Sequence, residues 1–393
     1  MLIPGILHDE QKLMNRITFK INDKEFSVPK AFLNSNILTI KSVPKSYSVT
    51  WEDQKHPFEI INDLMSENQN NILFIDKNVY KTYGKYLKAD PSKIFIAKAS
   101  ENFKTLKGLM KLIDFLQENK FTKGEKLIVV GGGVIQDVGA FAGACYKRGI
   151  PWIYFPTTLL AMCDSCIGSK AGINYQHVKN QLAIFSAPSQ VVISPVFLKS
   201  LPVREIKAGL GEILKLHIIG GKYSLESFKE HISRAIKLDY TAFKPLIFGS
   251  LHIKKSVIEE DEFELNYRKA LNYGHTIGHA MEILSDYRIP HGQAVVIGMI
   301  VANELSRHRN MLNAEENKSL KALSYDLLDQ DSLHGLSTSN LGDLLQKDKK
   351  TSGSLITFIL LESIGEIRLI PMHLNSKLID EISEILTEYV HRF

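Results

Sequence analysis

Five short apolar runs punctuate the first half of the chain: NILFID (71–76), KIFIAK (93–98), KLIVVGGG (126–133), WIYFPTT (152–158) and QVVISP (190–195). Each is rich in Ile, Val and Phe, and helix-length stretches such as Thr105 to Glu118 separate them. Strands that read as continuous apolar runs, alternating with helices, are what a parallel sheet covered on both faces requires. From about Pro202 the β signal fades, and 203–218, 225–237, 243–257, 266–285 and 291–309 carry apolar residues at the three- and four-residue spacing of helices. A late run, LITFILLESIGEIRLIP (355–371), reads as a strand pair. The expected architecture is α/β. A Rossmann-like parallel-sheet domain of nucleotide-binding type (36–200) is followed by a mainly α-helical domain (201–393). The first 35 residues read as a separate short extension of unassigned role, with ITFKIND as its strand.

Composition narrows the function class. Of 393 residues, 44% are hydrophobic and 23% charged, as in water-soluble globular enzymes and unlike disordered or collagenous chains. The net charge of +5 has no long basic run behind it, so nucleic-acid binding is not expected and the basic side chains are expected to meet a small anion. Three cysteines, Cys145, Cys163 and Cys166, make no disulfide framework and fit a reducing compartment. The opening MLIPGILHDEQKLMNR has neither a basic leader nor a long apolar stretch, and no window approaches a membrane span, so the expectation is a cytoplasmic protein with no membrane partner.

Several residues could carry chemistry. Gly131, Gly132 and Gly133 follow a strand, where exposed backbone N–H groups suit phosphate, but Gln136 stands where the third glycine of a dinucleotide fingerprint belongs. A tight turn explains the triple glycine equally well. Pro156-Thr157-Thr158 ends the next strand at the same sheet edge. In NYGHTIGH, His275 and His279 stand four apart on one helix face, the spacing of two ligands to one metal, although two satisfied helix histidines would look the same. His291 lies beyond Pro290 and could return to the same place. Glu212 and Lys215 share a face among apolar neighbours, where a bare carboxylate is costly unless paired or metal-bound. Cys163 and Cys166 form a single C-x-x-C, too little for a zinc ribbon. Lys254, Lys255, Arg268 and the Lys347 to Lys350 cluster read as solvated charges unless the fold brings them together.

The ordered segments GGGVIQDVGAFAGACYKRG, PTTLLAMCDSCIGSKAGIN, KN, LPVREIKAGLGEILK, LNYGHTIGHA and HGQAV resemble the 3-dehydroquinate synthases of the sugar phosphate cyclase superfamily. The resemblance covers about residues 70–370 and implies an NAD-binding α/β domain followed by a mainly helical metal-binding domain. Position by position it implies a zinc site (cobalt fits the same donors) of Glu212, His275 and His291, with His279 on the substrate side. It implies NAD contacts from Asp76, Glu101, Lys104, Gly132, Gly133, Asp137, Thr157, Thr158, Lys179, Ser200, Leu201 and Glu205. Lys170, Asn180, Asn272 and one of Lys349 or Lys350 match the phosphate group, joined by Arg148 from the second subunit of a homodimer. Asp164 and Lys215 match polar positions near the sugar hydroxyls, and Lys254 with Arg268 the pair that grips the substrate carboxylate. The implied activity converts 3-deoxy-D-arabino-heptulosonate 7-phosphate to 3-dehydroquinate and phosphate. Its steps are transient oxidation by NAD, phosphate elimination, re-reduction and intramolecular aldol closure.

Two departures stand out. The family's G-G-K-T-G reads Gly168-Ser169-Lys170-Ala171-Gly172, and Gln181 follows Lys179-Asn180 where an apolar residue is more common. The second change looks like cyclases that act on sedoheptulose 7-phosphate. Those relatives generally replace the residues matching Lys254, Arg268, Asn272 and His279, all present here. A guanidinium with a lysine beside it suits a carboxylate, which favours the carboxylated substrate. A metal-dependent polyol dehydrogenase and a silent paralogue are the other readings. Neither explains the phosphate group together with the metal and carboxylate positions.

Overall fold

The computed structural model describes residues 15–31, 35–176, 178–329, 340–347 and 355–390. Described residues from 35 to 202 form one compact unit, and those before 35 join residues from 203 onward in a second.

The chain opens with a hairpin, β1 (Arg16–Ile21) and β2 (Lys24–Pro29), whose buried positions alternate along β1 as a half-covered strand requires. The α/β unit then runs through β3 (Ile37–Ile40), β4 (Tyr47–Trp51), α1 (Pro57–Glu67), β5 (Ile72–Asp76), α2 (Lys77–Tyr83), β6 (Ile94–Ala97), α3 (Leu106–Glu118), β7 (Leu127–Gly131), α4 (Gly133–Cys145), β8 (Trp152–Pro156), β9 (Lys170–Tyr175), β10 (Val178–Phe185) and β11 (Gln190–Ile193). Its main sheet has the order β3-β4-β11-β8-β7-β5-β6 and is parallel except for β3, which runs antiparallel to β4. Every residue of β5, β7 and β8 is buried, so the sheet is covered on both faces as the apolar runs predict. β3, β4 and the β9–β10 hairpin were not among the expected strands. Their alternating or polar composition hides them from a search for apolar runs.

The second unit contains α5 (Val203–Ile219), α6 (Lys222–Ile236), α7 (Phe243–Ile258), a 3₁₀ turn (Tyr267–Asn272), α8 (His275–Leu284), α9 (His291–His308), α10 (Ala314–Tyr325), α11 (Leu341–Lys347), β12 (Leu355–Ser363), β13 (Glu366–His373) and α12 (Ser376–Val390). Two expectations are corrected. The single helix expected over 266–285 is broken, because Gly274 takes φ 82° beneath α9, where a Cβ would lie 2.6 Å from the Val295 carbonyl oxygen. The opening hairpin is no separate extension either: β1 pairs in parallel with β13, giving a sheet of order β12-β13-β1-β2. A lone hairpin cannot bury its apolar face, and this one stacks Phe19 on Phe26 at 5.3 Å and sets Phe26 edge-on to Tyr267 at 5.7 Å.

The centre of this unit depends on close helix approach. A Cβ on Gly211 of α5 would overlap the Gly292 carbonyl, one on Gly292 of α9 the Ala208 carbonyl, and one on Gly298 the Gly274 carbonyl. Helices α5 and α8 therefore lie directly against the backbone of α9. Gly292→Ala is expected to lower the stability of this unit by about 1–3 kcal/mol through overpacking. Urea unfolding checks it, and an unchanged midpoint would mean that α5 and α9 part without cost.

Candidate metal and cofactor sites

In the helical unit the glycine contacts bring three side chains from three helices to one place. Glu212 of α5 is fully buried, and the donor atoms of Glu212, His275 and His291 all lie within 4.8 Å of one another. Glu212 Oε1 stands 3.6 Å from His275 Nε2 and 3.3 Å from His291 Nε2, while Lys215 Nζ lies 2.5 Å from Oε2. Neither Glu212 oxygen accepts a hydrogen bond of ordinary geometry. Burial alone would raise the Glu212 carboxyl, but Lys215 and the two histidines hold it well below the usual range. Burial, reinforced by Lys215, pushes His275 well below its ordinary value. His291 is raised to about 9: burial lowers it, but its contacts with the Glu212 and Glu282 carboxylates outweigh that. A buried carboxylate with Lys215 on one oxygen, two imidazoles aimed at the other and no well-formed hydrogen bond on either is a donor set that a divalent cation satisfies. Spacing alone pairs His275 with His279, and here the structure differs. His279 is exposed and stands outside the Glu212 group, although with Glu282 and His291 it forms a second convergent set.

The same unit holds the two basic residues matched to the substrate carboxylate. Lys254 of α7 and Arg268 of the 3₁₀ turn are both buried, and α7 packs against that turn. Asp261 fixes the loop between them, its carboxylate accepting the backbone N–H groups of Leu265, Asn266 and Arg268 at 2.9, 2.8 and 3.0 Å. Burial opposes ionisation of Asp261, but these bonds lower its carboxyl. Asn272 donates to Glu264 at 2.6 Å. Glu205 is exposed on the first turn of α5, and Lys349 and Lys350 lie outside the described residues.

In the α/β unit, the residues matched to NAD gather at the carboxyl edge of the sheet. Gly132 caps α4 with no side chain covering the helix start, and a Cβ on Gly133 would meet nothing within 4 Å. Gly132 itself passes so close to Thr158 that a Cβ would lie 2.9 Å from its methyl group. Open N–H groups at a helix start fit a phosphate. Thr157 N–H bonds the Gly131 carbonyl at 3.0 Å. Lys104 Nζ lies 2.5 Å from the Asp137 carboxylate, which also accepts Gly172 N–H at 3.2 Å. Burial raises the Asp137 carboxyl against both contacts. Asp76 caps α2 through Asn78 and Val79 and takes Ala99 N–H at 3.0 Å, so its carboxylate braces the loop after β6. Ser200 and Leu201 close a 3₁₀ turn.

The residues of this unit matched to the phosphate (Lys170, Asn180, Arg148), to the sugar hydroxyls (Asp164) and, on β10, to NAD (Lys179) lie on the β9–β10 hairpin and two turns. Lys170 is exposed at the start of β9; Lys179 and Asn180 are exposed on β10, with Asn180 at φ 53°. Asp164 sits in a π-type turn, Ala161–Ser165, and Arg148 in a turn with left-handed φ at Lys147, Arg148 and Gly149. Cys163 and Cys166 are buried and not disulfide-bonded.

Two residues escaped sequence reasoning. Gln136 exchanges two 2.6 Å hydrogen bonds with Ser165, tying α4 to the turn that carries Asp164; its signal was an amide beside Asp137 on a helix whose other residues are small or apolar. Asn174 donates to Glu101 at 2.6 Å and accepts Asn180 N–H at 3.0 Å, a link that no spacing rule reveals. Ser169 shows why glycine is usual at its position, since it takes φ 57°.

Residues 94–208 match the family model for 3-dehydroquinate synthase N-terminal, and 209–351 that for 3-dehydroquinate synthase C-terminal. The chain is 33% identical over 337 residues to 3-dehydroquinate synthase of Streptococcus pyogenes serotype M6, covering 84% of this chain and 93% of that protein. It is 37% identical over 319 residues to 3-dehydroquinate synthase of Pelagibacter ubique, covering 78% and 87%. Among solved structures, 2-epi-5-epi-valiolone synthase from Streptomyces hygroscopicus subsp. jinggangensis, with NAD+ and Zn2+ bound, shares the fold. Its TM-score is 0.74 at 23% identity, over 91% of this chain and all of that one (100%). The chain belongs to the 3-dehydroquinate synthase family. Among the described residues no helix is long and apolar enough to cross a membrane.

His275→Ala removes one of three convergent donors. It is expected to abolish tight zinc binding, as read by elemental analysis after dialysis, while the far-ultraviolet spectrum stays native. Full retention of zinc would exclude His275 as a ligand.

Proposed function

We propose that the chain is a 3-dehydroquinate synthase-like sugar phosphate cyclase that converts 3-deoxy-D-arabino-heptulosonate 7-phosphate to 3-dehydroquinate and inorganic phosphate. The observation that supports a carboxylated substrate is the burial of two cationic side chains on touching elements, Lys254 at 6% and Arg268 at 4% exposure, in the same unit as the Glu212 donor set. A rigid guanidinium with an ammonium partner recognises a carboxylate and has little use for a neutral hydroxymethyl group. The Asp261 clamp fixes the loop before Arg268, so less side-chain freedom is lost on binding.

NAD and one divalent ion, zinc or cobalt, complete the reading and supply, when bound, hydride exchange and Lewis acidity. Glu212, His275 and His291 are assigned to the ion, and the group around Gly132, Thr157, Lys104 and Asp137 to NAD. The chain's own side chains then hold and orient. In the helical unit, Lys254 and Arg268 are assigned to the carboxylate and Lys215 and His279 to sugar hydroxyls; in the α/β unit, Asp164 is assigned to a sugar hydroxyl. Lys170 and Asn180 in the α/β unit, Asn272 in the helical unit and Arg148 of the partner subunit are each assigned to the phosphate, whose charge such donors spread as it leaves. The reading therefore requires a homodimer, and the rigid left-handed turn, braced by Lys147 Nζ on the Phe121 carbonyl at 2.6 Å, suits a side chain presented to a second copy.

A cyclase acting on sedoheptulose 7-phosphate is the second reading, favoured by the exposed Gln181 beside Asn180. Inorganic phosphate release with NAD and zinc decides between them. Release from 3-deoxy-D-arabino-heptulosonate 7-phosphate alone, without net NADH, is expected. Release from sedoheptulose 7-phosphate alone would overturn the carboxylate assignment. Arg268→Ala is expected to raise KM for the carboxylated substrate more than it lowers kcat, by about 1.5–3 kcal/mol in kcat/KM. An unchanged KM would place the carboxylate elsewhere.

A further inference from the structure

The two imidazoles of the Glu212 group are each anchored on the ring nitrogen that faces away from it. His275 directs Nδ1 at the Tyr273 backbone carbonyl, 3.3 Å away, and Nε2 toward Glu212. His291 directs Nε2 toward Glu212 at 3.3 Å, and its Nδ1 meets Glu282 Oε2 at 3.2 Å. A neutral imidazole carries one N–H and one lone pair, so an acceptor on Nδ1 leaves the lone pair on Nε2. Glu282 is well placed to act as that acceptor. It lies seven residues after His275 on α8, on the stripe that also carries His279, and its side chain is 12% exposed.

We propose that Glu282 is a positioning residue of the metal centre: its carboxylate takes the Nδ1–H of His291, fixes the ring across the α8–α9 contact and keeps Nε2 free to bind the ion. The inference rests on the metal reading above. It assigns different anchors to the two histidine ligands. The anchor of His275 is a backbone carbonyl that no substitution removes, whereas that of His291 is a side chain whose negative charge also makes the ring a stronger donor. The convergence of His279, Glu282 and His291 has a competing explanation, a second cation bound between them. That arrangement would need His291 to give up both ring protons and bridge two ions, whereas the hydrogen bond uses the ring as a neutral ligand.

The test is zinc titration of the metal-stripped full chain against a chromophoric chelator, for wild type, Glu282→Gln and Glu282→Ala. Wild type is expected to bind one equivalent. Glu282→Ala is expected to bind it roughly 10- to 100-fold more weakly. Glu282→Gln keeps a neutral acceptor of the same shape and is expected to fall between the two, which a purely structural role for the side chain would not produce. Because Glu282→Gln is isosteric, it keeps the test valid if the alanine variant fails to fold. Equal affinity in wild type and Glu282→Gln, with the Nδ1–H of His291 unshifted by NMR, overturns the proposal. So does a second zinc equivalent in wild type that disappears in the variants while the first is unaffected. A wild-type chain that binds no zinc overturns the metal reading itself, and this inference with it.

Discussion

A carboxylate with no exposure to water must be neutralised by whatever the fold puts beside it, and Glu212 sets that demand at the centre of the helical unit. The neutralising groups come from three places in the chain: Lys215 one turn further along α5, His275 at the start of α8 and His291 at the start of α9. They can reach one carboxylate only because Gly211, Gly274, Gly292 and Gly298 let the helix backbones touch. Close packing and site chemistry are one constraint here. The helix spacing that overlaps any added methyl group is also the spacing that puts three donor atoms within reach of one ion.

Much of this was legible in the sequence, and the limits follow physical lines. The fully buried strands β5, β7 and β8 announce themselves as apolar runs, and the long helices of the second half by their period. Half-exposed β3 and β4 carry no such signal, and β1 and β2 make sense only with β13, which is distant in sequence. Helical spacing led to His275 and His279, because i, i+4 is visible in a sequence and the convergence of α5, α8 and α9 is not. Glu212 and His291 were visible singly as a costly carboxylate and a histidine beyond a proline, and only family resemblance grouped them; the geometry shows both Nε2 atoms facing Glu212 Oε1.

In the α/β unit, several of the polar residues at the sheet edge are tied to one another. Asp76 is spent on backbone N–H groups, Lys104 on Asp137, and Asp137 on Gly172. Gln136 and Asn174 make further links, to the turn bearing Asp164 and to Asn180 of β10. The edge is thus built before any ligand arrives, with Ser169 at φ 57° against its own preference and Asn180 at φ 53°, a conformation asparagine tolerates.

The parallel pairing of β1 with β13 bears on how the chain is made. Leu369 N–H bonds the side chain of Asn22, 347 residues away in sequence, so the opening hairpin emerges from the ribosome long before the strand it needs. The α/β unit, contiguous between these two pieces, has all its partners in hand much earlier and can close first. The unit that holds the buried carboxylate therefore lacks a strand partner for β1 until β13, Glu366–His373, has been made.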